Sequence, residues 1–297
     1  MTDTALFLVN AQSGRAQADG PDEIERSLRA VLPPGTDARF VVGAVPDLLD
    51  ALDGATPATA VTVGGDGTIG AVASALAGRD DAPRFVPLPY GTANLIPRDI
   101  GMPMDPPEAL RAALAAPVRR IDYATANGAP LLHSAVFGTF AEIAEDREQL
   151  READGPGAWA AALTGAASAL IGAEDRRYAL TIDGRAEDTV TNTVFVALGD
   201  ITGADFGVPR RDRLDGGHLT VYLTDSHGPL GFLRRIVEAG TGGLAGSDAV
   251  AVHRCETATV TADGPLLYAR DGELVEGEDE AVFAIRPGAL AVPDLRG

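Results

Sequence analysis

The chain has 297 residues, 45% of them hydrophobic, so it is long enough to bury a full core and to form two domains. Its 43 acidic and 24 basic residues give a formal net charge of −19 at pH 7, and every basic residue is an arginine. This charge would repel a nucleic-acid backbone, so we expect no nucleic-acid partner. The lack of lysine excludes chemistry that depends on one, such as a Schiff base or a Walker-type phosphate lysine.

The remaining composition points to a cytoplasmic protein. Cys255 is the single cysteine, which excludes an intrachain disulfide and a cysteine-based zinc site. Residues 1–6 lack the basic region that opens a signal peptide. No run reaches the ~18 apolar residues of a membrane-spanning helix. The nearest run, 157–173, predicts a buried or groove-lining helix.

Strands and helices alternate in the first third of the chain. Short apolar runs rich in β-branched residues predict the strands, and apolar residues at helical spacing predict the helices. This alternation indicates a parallel sheet, which binds ligands at the carboxyl ends of its strands. The predicted strands are 6–9, 38–42, 59–63 and 85–88, and the predicted helices are 21–32, 46–52 and 71–77.

Three polar turns each follow a predicted strand. We name them the first (10–14), second (64–68) and third (91–94) polar turns. Because the carboxyl ends of parallel strands meet at one edge of a sheet, we expect the three turns to lie together.

The second polar turn has the sequence Gly-Gly-Asp-Gly-Thr and leads from a strand into a helix. Its glycines would allow positive φ angles and the close approach of a backbone or ligand, and the N–H groups that open a helix bind phosphate. Asp66 would place a carboxylate where phosphates and Mg²⁺ lie, and Thr68 has the position of an N-cap or a phosphate-binding hydroxyl. The alternative is a plain strand-to-helix turn.

After residue 117 the pattern changes to short strands separated by turns. It predicts a mostly antiparallel β domain, and we place the boundary near residue 120, giving domains 1–120 and 121–297; the tail after 285 could return to the first domain. Asp183-Gly184, Gly216-Gly217 and Asp263-Gly264 are the predicted turns. The predicted strands are 121–123, 131–137, 178–182, 193–198, 218–223, 257–260 and 281–285, with helices near 141–152, 157–172 and 229–239.

A fourth motif, Asp271-Gly272-Glu273, follows residues 268–270. Together with the three polar turns, in this order and spacing, it resembles the diacylglycerol kinase catalytic-domain family, which includes bacterial lipid kinases and sphingosine kinases. The second turn alone is shared with NAD kinases and phosphofructokinases. The resemblance implies an α/β fold, in which a Rossmann-like nucleotide-binding α/β domain precedes a mostly antiparallel β-sandwich domain and the active site lies in the cleft.

The resemblance also implies transfer of the γ-phosphoryl group of ATP to a lipid hydroxyl, assisted by Mg²⁺. It makes Glu273 the general base, with Asp66 as a rival for that role and Asp271 as a further catalytic residue. An ordinary hairpin turn is the alternative interpretation of 271–273. The residues expected to bind the nucleotide are Asn10, Ser13, Gly14, Gly64, Gly65, Asp66, Gly67, Thr68, Gly91, Thr92 and Asn94.

Two positions depart from the family pattern. Leu95 stands where the family commonly has Asp, and Gly216, beside Asp215, replaces the second aspartate of an Asp-Asp-Gly motif. Asp66 and Asp122 remain as candidate metal ligands. Because a hard cation needs charged oxygens, we expect the structural Mg²⁺ of bacterial relatives to be absent here or held differently.

The other charged residues carry weaker signals. The four histidines (133, 218, 227 and 253) have no metal-ligand spacing and are expected to be structural or exposed. The arginines at 210–213 and 234–235 could form a solvated face or could contact phosphates or anionic lipid headgroups.

The leading hypothesis is a cytoplasmic lipid kinase that makes peripheral contact with the membrane and holds the lipid near 159–171. A kinase of a soluble acceptor such as NAD, and a nucleotide- or lipid-binding regulator without catalysis, are the alternatives. The sequence leaves open whether diacylglycerol, a sphingoid base or phosphatidylglycerol is the acceptor. It also leaves open whether the protein forms a homodimer.

Overall fold

A computed structural model describes residues 4–79, 81–138, 176–205, 208–224 and 250–296. The chain divides into two compact units, the first comprising Met1–Tyr123 and Arg286–Gly297 and the second Ala124–Ile285. The sequence predicts a second domain over 121–297 with a tail that could return to the first domain. In the structure, the residues from Arg286 onward belong to the first unit.

The first unit contains a four-stranded parallel sheet with the strand order β2-β1-β3-β4. The predicted parallel arrangement is therefore confirmed. Phe7 in β1 and Val61 in β3 are fully buried, because the two inner strands of such a sheet are covered on both faces. The strands are β1 (Thr4–Val9), β2 (Asp37–Val42), β3 (Thr59–Gly64) and β4 (Arg84–Pro89).

Six helices are described in the first unit. The three predicted helices are present with shifted ends, and three further helices were missed, of which the first two are short. The last of these has a clear signal in hindsight, because Asp105 accepts the Glu108 N–H as an N-cap and Pro106 occupies the first turn. The helices are α1 (Gly14–Asp19), α2 (Pro21–Arg29), α3 (Val45–Asp53), α4 (Asp66–Leu76), α5 (Leu95–Asp99) and α6 (Pro106–Ala115).

The later strands form a ten-stranded sheet of the order β14-β13-β10-β7-β15-β16-β5-β6, with β8 on β15 and β9 on β8, and a separate β11-β12 pair. The chain passes between the two units within β5 and β16. The strands are β5 (Val118–Ala126), β6 (Ala129–Leu131), β7 (Ser134–Gly138), β8 (Arg176–Ile182), β9 (Arg185–Thr191), β10 (Thr193–Leu198), β11 (Gly203–Asp205), β12 (Val208–Arg210), β13 (Leu219–Thr224), β14 (Val250–Cys255), β15 (Thr257–Arg270) and β16 (Glu273–Pro293).

The core of the second unit is built from aromatic side chains. Phe137 stacks on Tyr268 with ring centroids 4.7 Å apart and meets Phe283 edge-on at 6.0 Å. These rings come from β7, β15 and β16, so they hold together the strands on both sides of the 271–273 motif.

Two predicted turns of the second unit have different outcomes. Asp183-Gly184 joins β8 to β9 with φ angles of 46° and 77°, so the predicted turn is confirmed. The turn predicted at Asp263-Gly264 is wrong, because β15 continues across it and its pairing with β16 shifts register between Thr261 and Leu266. The turn signal there marks a bulge in a long strand.

The helices predicted near 141–152, 157–172 and 229–239 lie outside the described residues, as do the candidate lipid groove at 159–171 and the arginines at 234–235. In the parts of the chain that the structure describes, no helix combines the length and apolar character needed to cross a membrane.

Candidate functional site

The first and second polar turns are joined by hydrogen bonds at the carboxyl edge of the parallel sheet. Asn10 donates its backbone N–H to the Val63 carbonyl at 2.9 Å and its side-chain Nδ2–H to Thr68 Oγ1 at 2.9 Å. Within the first turn, Ser13 Oγ donates to the Asn10 carbonyl at 2.8 Å. Gly14, the next residue, begins α1.

The second and third polar turns are joined by the carboxylate of Asp66. Its Oδ2 accepts the Asn94 N–H at 3.0 Å and its Oδ1 accepts the Leu95 N–H at 2.7 Å. Asp66 is thus the acceptor for N–H groups that open α5 and have no partner within that helix. With this contact all three polar turns meet at one edge, and the expectation that they lie together is confirmed.

The third polar turn is closed by Asn94, which has a left-handed φ of 51°. Its Oδ1 accepts the Gly91 N–H and its Nδ2 donates to the Gly91 carbonyl, both at 2.8 Å. A Cβ on Gly91 would lie 2.9 Å from Asp66 Oδ2 and 3.1 Å from the Gly65 Cα. A side chain at position 91 would therefore crowd both the Asp66 carboxylate and the Gly65 backbone. Thr92, the next residue, is exposed.

The second polar turn differs in detail from the prediction. Gly65 is the N-cap of α4, so the N-cap role suggested for Thr68 is wrong. Thr68 lies inside the first turn of the helix, is 4% exposed, and fills the space in which a Cβ on Gly64 would come within 2.7 Å of it. Gly64, Gly65 and Gly67 do not have positive φ angles. The glycines of this turn serve close packing and leave the helix N-terminus open.

The N–H groups at the start of α4 have no acceptor within the helix, as an anion site requires. The first backbone hydrogen bond of the helix runs from the Ile69 N–H to the Gly65 carbonyl at 3.0 Å, so the N–H groups of 66–68 precede the hydrogen-bonded turns. Such groups and the helix dipole favour a phosphate at this end of the helix.

Arg15 adds a positive charge that the sequence analysis missed. It follows the first polar turn on α1, and its guanidinium lies 5.6 Å from the centroid of the Tyr90 ring, just before the third turn. Burial, followed by the charge of Asp19, raises the pKa of Tyr90 to about 12, although Arg15 opposes the shift. Tyr90 therefore stays neutral and serves as an aromatic platform for the guanidinium.

Asp122, the second candidate metal ligand, is a buried residue of β5 in the first unit. Its Oδ1 accepts the Gly288 N–H at 2.8 Å, which ties β5 to the last part of the chain. Among the described residues, no group of three or more His, Cys, Asp or Glu side chains is arranged to hold a metal ion.

In the second unit, Asp271 and Gly272 form the turn between β15 and β16. Their φ angles are 52° and 89°, as a tight two-residue hairpin turn requires, so the motif does form a hairpin turn. The Asp271 carboxylate accepts three backbone N–H groups, those of Leu132 at 2.7 Å, His133 at 2.8 Å and Ser134 at 2.9 Å. The Asp271 N–H donates to the Ser134 carbonyl at 2.8 Å.

The two carboxylates of this motif have different surroundings. Desolvation raises the pKa of Asp271 to about 6, against the lowering effect of the three N–H groups and of the Arg211 charge. Glu273 begins β16, is exposed, and its side chain makes no hydrogen bond or ion pair with any described residue. Asp271 is therefore anchored, whereas the Glu273 side chain is exposed to solvent.

The arginines at 210–213 do not form one solvated face. Arg211 is 3% exposed and donates to the carbonyl oxygens of Leu198 at 2.7 Å and Leu132 at 2.9 Å. Arg213 is exposed and lies 3.5 Å from Asp215. The solvated interpretation is therefore wrong for Arg211, and nothing in its sequence neighbourhood distinguishes it from the exposed arginines.

Comparison with known proteins accounts for nearly the whole chain. Residues 4–126 match the diacylglycerol kinase catalytic domain, and residues 135–293 match the YegS C-terminal NAD kinase beta sandwich-like domain. A "Probable lipid kinase YegS-like" of Pseudomonas aeruginosa (strain UCBPP-PA14) is 35% identical over 248 residues, which cover 79% of this chain and 76% of that protein. The chain belongs to the diacylglycerol kinase catalytic-domain family.

Other similarities agree with this assignment. A relative of the same name from Pseudomonas syringae pv. tomato is 29% identical over 78% of this chain and 74% of its own length. The crystal structure of a diacylglycerol kinase from Bacillus anthracis str. Sterne has a TM-score of 0.67 at 16% identity and covers 99% of this chain and 98% of that one, which supports the fold. The chain is therefore a lipid kinase family member with an α/β domain followed by an antiparallel β domain.

The structure explains one departure from the family pattern. A Cβ on Gly216 would lie 2.9 Å from Cε1 of His218, so the imidazole ring occupies the place of a larger residue at 216. Its Nδ1 lies 2.9 Å from the Gly216 carbonyl oxygen, and its Nε2 lies 3.4 Å from Asp200 Oδ1 without forming a hydrogen bond. Gly216 and His218 are thus a sterically matched pair.

Asp200, in the segment between β10 and β11, has partners in the same surroundings. Asp200 accepts hydrogen bonds from Thr220 Oγ1 at 3.0 Å and from Arg254 Nε at 3.0 Å. Burial alone would raise the pKa of Asp200, but these hydrogen bonds and the neighbouring charges lower it below its usual value. Asp200 therefore stays ionised and ties the loop to β13 and β14 in this family member.

Three of the four histidines have structural contacts, and the fourth, His227, lies outside the described residues. His133 is buried with Nδ1 3.1 Å from Ser134 Oγ, and His253 Nε2 lies 3.6 Å from Glu187. The structural interpretation of these side chains is supported.

Proposed function

We propose that the protein transfers the γ-phosphoryl group of ATP to the hydroxyl group of a lipid, with diacylglycerol and related lipids as the acceptor class. The observation that carries this proposal is the junction of the three polar turns at the N-terminus of α4. Asn10 and Asp66 hold these turns together through the hydrogen bonds to Thr68, Asn94 and Leu95.

The proposed nucleotide site uses backbone N–H groups and one guanidinium in place of a lysine. The start of α4 offers N–H groups to the phosphates, and the absence of a Cβ atom at Gly65 lets phosphate oxygens approach them closely. Arg15 directly follows the first turn, with its guanidinium against the Tyr90 ring, and we assign charge neutralisation to it. The remaining proposed contacts are Ser13, Gly14, Thr92 and Asn94.

The residues at this edge fit a Mg²⁺ ion that arrives with ATP. Mg²⁺ in kinases is commonly held by one or two carboxylates together with substrate phosphates and water, so a cage of three protein ligands is not needed. Asp66 accepts two N–H groups and keeps lone pairs for such an ion. Outside the three polar turns, Asp122 on β5 is a second candidate, with one oxygen accepting the Gly288 N–H. When bound, the ion would neutralise charge on the phosphates.

The proposed reaction needs a proton acceptor. The hydroxyl oxygen of the lipid forms a bond to the γ-phosphorus, and the bond from that phosphorus to the bridging oxygen breaks with its electron pair leaving on ADP. The hydroxyl proton passes to a carboxylate, and we assign this role to Glu273 because its side chain is exposed and unengaged. Asp66 is suited to positioning, since both of its oxygens accept backbone N–H groups.

The proposal places the protein in the cytoplasm, in peripheral contact with the membrane that holds its substrate. With a net charge of −19, such contact has to be local and sensitive to salt.

The test is phosphoryl transfer from labelled ATP with Mg²⁺ to diacylglycerol, a sphingoid base or phosphatidylglycerol in mixed micelles, with NAD as a soluble acceptor. We expect one labelled lipid, and we expect Glu273→Gln to reduce its formation by roughly 100-fold or more, the scale of general-base catalysis. Glu276→Gln is the matched control, because Glu276 is another exposed glutamate of β16. Labelled NAD alone would favour a soluble-acceptor kinase, and no labelled acceptor would favour a binding regulator.

A further inference from the structure

The bend at residues 132–134, which follows β6 and includes the first residue of β7, has its backbone polar groups fixed from several sides. Its three N–H groups donate to the carboxylate of Asp271. The Leu132 carbonyl accepts from Arg211, the His133 carbonyl accepts the Leu198 N–H at 2.9 Å, and the Ser134 carbonyl accepts the Asp271 N–H. The bend is thus held between one buried cation and one anchored carboxylate.

Arg211 makes the contact on the other side of the bend. Its two terminal nitrogens diverge to carbonyl oxygens in different segments, Leu132 before β7 and Leu198 at the end of β10. Burying a guanidinium is costly, so a buried arginine needs several well-formed hydrogen bonds. A lysine ammonium, which is a single point donor on a flexible stem, cannot reproduce this divergent fork.

The turn at Asp271 and Gly272 connects the fixed bend to Glu273. Gly272 separates Asp271 from Glu273, and both turn residues hold positive φ angles that leave the hairpin little freedom. Anchoring the Asp271 carboxylate therefore fixes the backbone position at which β16 begins. Glu273 is the first residue of that strand.

We propose that Arg211 is a positioning residue for phosphoryl transfer. It holds the 132–134 bend in the conformation whose N–H groups bind Asp271, and Asp271 in turn fixes the start of β16 and thereby Glu273. The inference rests on the proposed function, because it takes Glu273 as the proton acceptor.

The kinetic test compares Arg211→Met and Arg211→Lys with the control Arg213→Met, whose side chain is 78% exposed. Because a misplacement of about 1 Å can cost roughly 100-fold in rate, we expect Arg211→Met to lower the single-turnover rate by about that factor. We expect the KM for ATP to change by less than about threefold, because the proposed nucleotide-binding residues lie in the other unit. Arg211→Lys should lose at least about tenfold, and Arg213→Met less than about twofold.

A double-mutant cycle separates positioning from general stability. In the Glu273→Gln background, Arg211→Met should give little further loss, because both substitutions remove the same function. Equal losses in the two backgrounds would overturn the inference, since Arg211 would then act without Glu273. If Arg211→Met does not fold, the cycle is run with Arg211→Lys.

Amide hydrogen exchange tests the positioning contact without any turnover. We expect slow exchange at Leu132, His133 and Ser134 in the native protein and at least about tenfold faster exchange in Arg211→Lys than in Arg213→Lys. Unchanged exchange at these amides would overturn the inference even if the kinase assay succeeds. If the native protein labels no acceptor but these amides still exchange faster in Arg211→Lys, the proposed function is contradicted. The contact between Arg211 and the bend is supported in that case.

Discussion

The carboxylate of Asp66 accepts the backbone N–H of Leu95 at 2.7 Å, across 29 positions of sequence. Leu95 stands where the family commonly has an aspartate. It contributes its backbone N–H to this contact, and its side chain is buried. Asp66 thus acts as a bracket between the second and third polar turns, because its other oxygen accepts the Asn94 N–H.

Asp66→Ala should weaken both the fold and nucleotide binding of the first unit. The substitution leaves the N–H groups of Asn94 and Leu95 without their acceptor, which costs about 1–3 kcal/mol of unfolding free energy. Chemical denaturation measures this loss, and titration with ATP and Mg²⁺ measures the loss of affinity.

The control for Asp66→Ala is Asp50→Ala, an exposed residue of α3. We expect it to change the unfolding free energy by less than about 0.5 kcal/mol, as is usual for surface sites. Equal stability of Asp66→Ala and the native protein would show that the bracket is not needed.

Gly91→Ala should disturb the same junction by steric overlap. The added Cβ would lie 2.9 Å from Asp66 Oδ2 and 3.1 Å from the Gly65 Cα, and a backbone atom cannot easily move away. We expect destabilisation of about 1–3 kcal/mol and weaker ATP binding. Thermal unfolding with and without ATP checks both effects.

Gly78→Ala is the steric control for Gly91→Ala. A Cβ at Gly78 would meet only the flexible Arg286 guanidinium at 3.6 Å, an ordinary van der Waals distance. It should leave ATP binding unchanged. If Gly91→Ala binds ATP as well as Gly78→Ala does, the close approach of the two turns has no role in the site.

The parallel sheet and its edge of polar turns were predictable, because buried strands are continuous apolar runs that end in glycine-rich polar segments. The bracket formed by Asp66 was not predictable, since no local sequence pattern relates Asp66 to Asn94 and Leu95. Arg211 was missed for a similar reason. Its burial depends on the carbonyl oxygens of Leu132 and Leu198, which do not neighbour it in the sequence. The start of α4 at Asp66 was also missed, because Gly67 and Gly70 give 66–70 a low helix propensity.

Asp271 should titrate with a pKa of about 6 in the folded protein, above its ordinary value of about 3.9, because desolvation outweighs its hydrogen bonds. A raised acid pKa means that the folded state binds more protons than the unfolded state between these two values. The contribution of Asp271 to stability is therefore fully present below pH about 4 and is lost as the pH rises through about 6.

NMR of the Asp271 carboxyl carbon and of the Leu132, His133 and Ser134 amides follows this titration. Comparison with Asp271→Asn separates the effect of the Asp271 titration from that of the histidines. Between pH 4 and pH 7 the native protein should lose up to roughly 3 kcal/mol of unfolding free energy relative to the variant. A carboxyl titration below pH 4 would contradict the dominance of desolvation.

Gly216 and His218 should be energetically coupled. Gly216→Ala places a Cβ 2.9 Å from Cε1 of an imidazole whose two nitrogens already face Asp200 and the Gly216 carbonyl, so the ring has to move. We expect a loss of about 1–2 kcal/mol in the native background and almost none in a His218→Ala background, where the ring is missing. The resulting coupling energy, measured by chemical denaturation of the four proteins, should be about 1 kcal/mol or more. If the two single losses simply add, the ring does not determine the residue at position 216, and the replacement of aspartate by glycine there needs another cause.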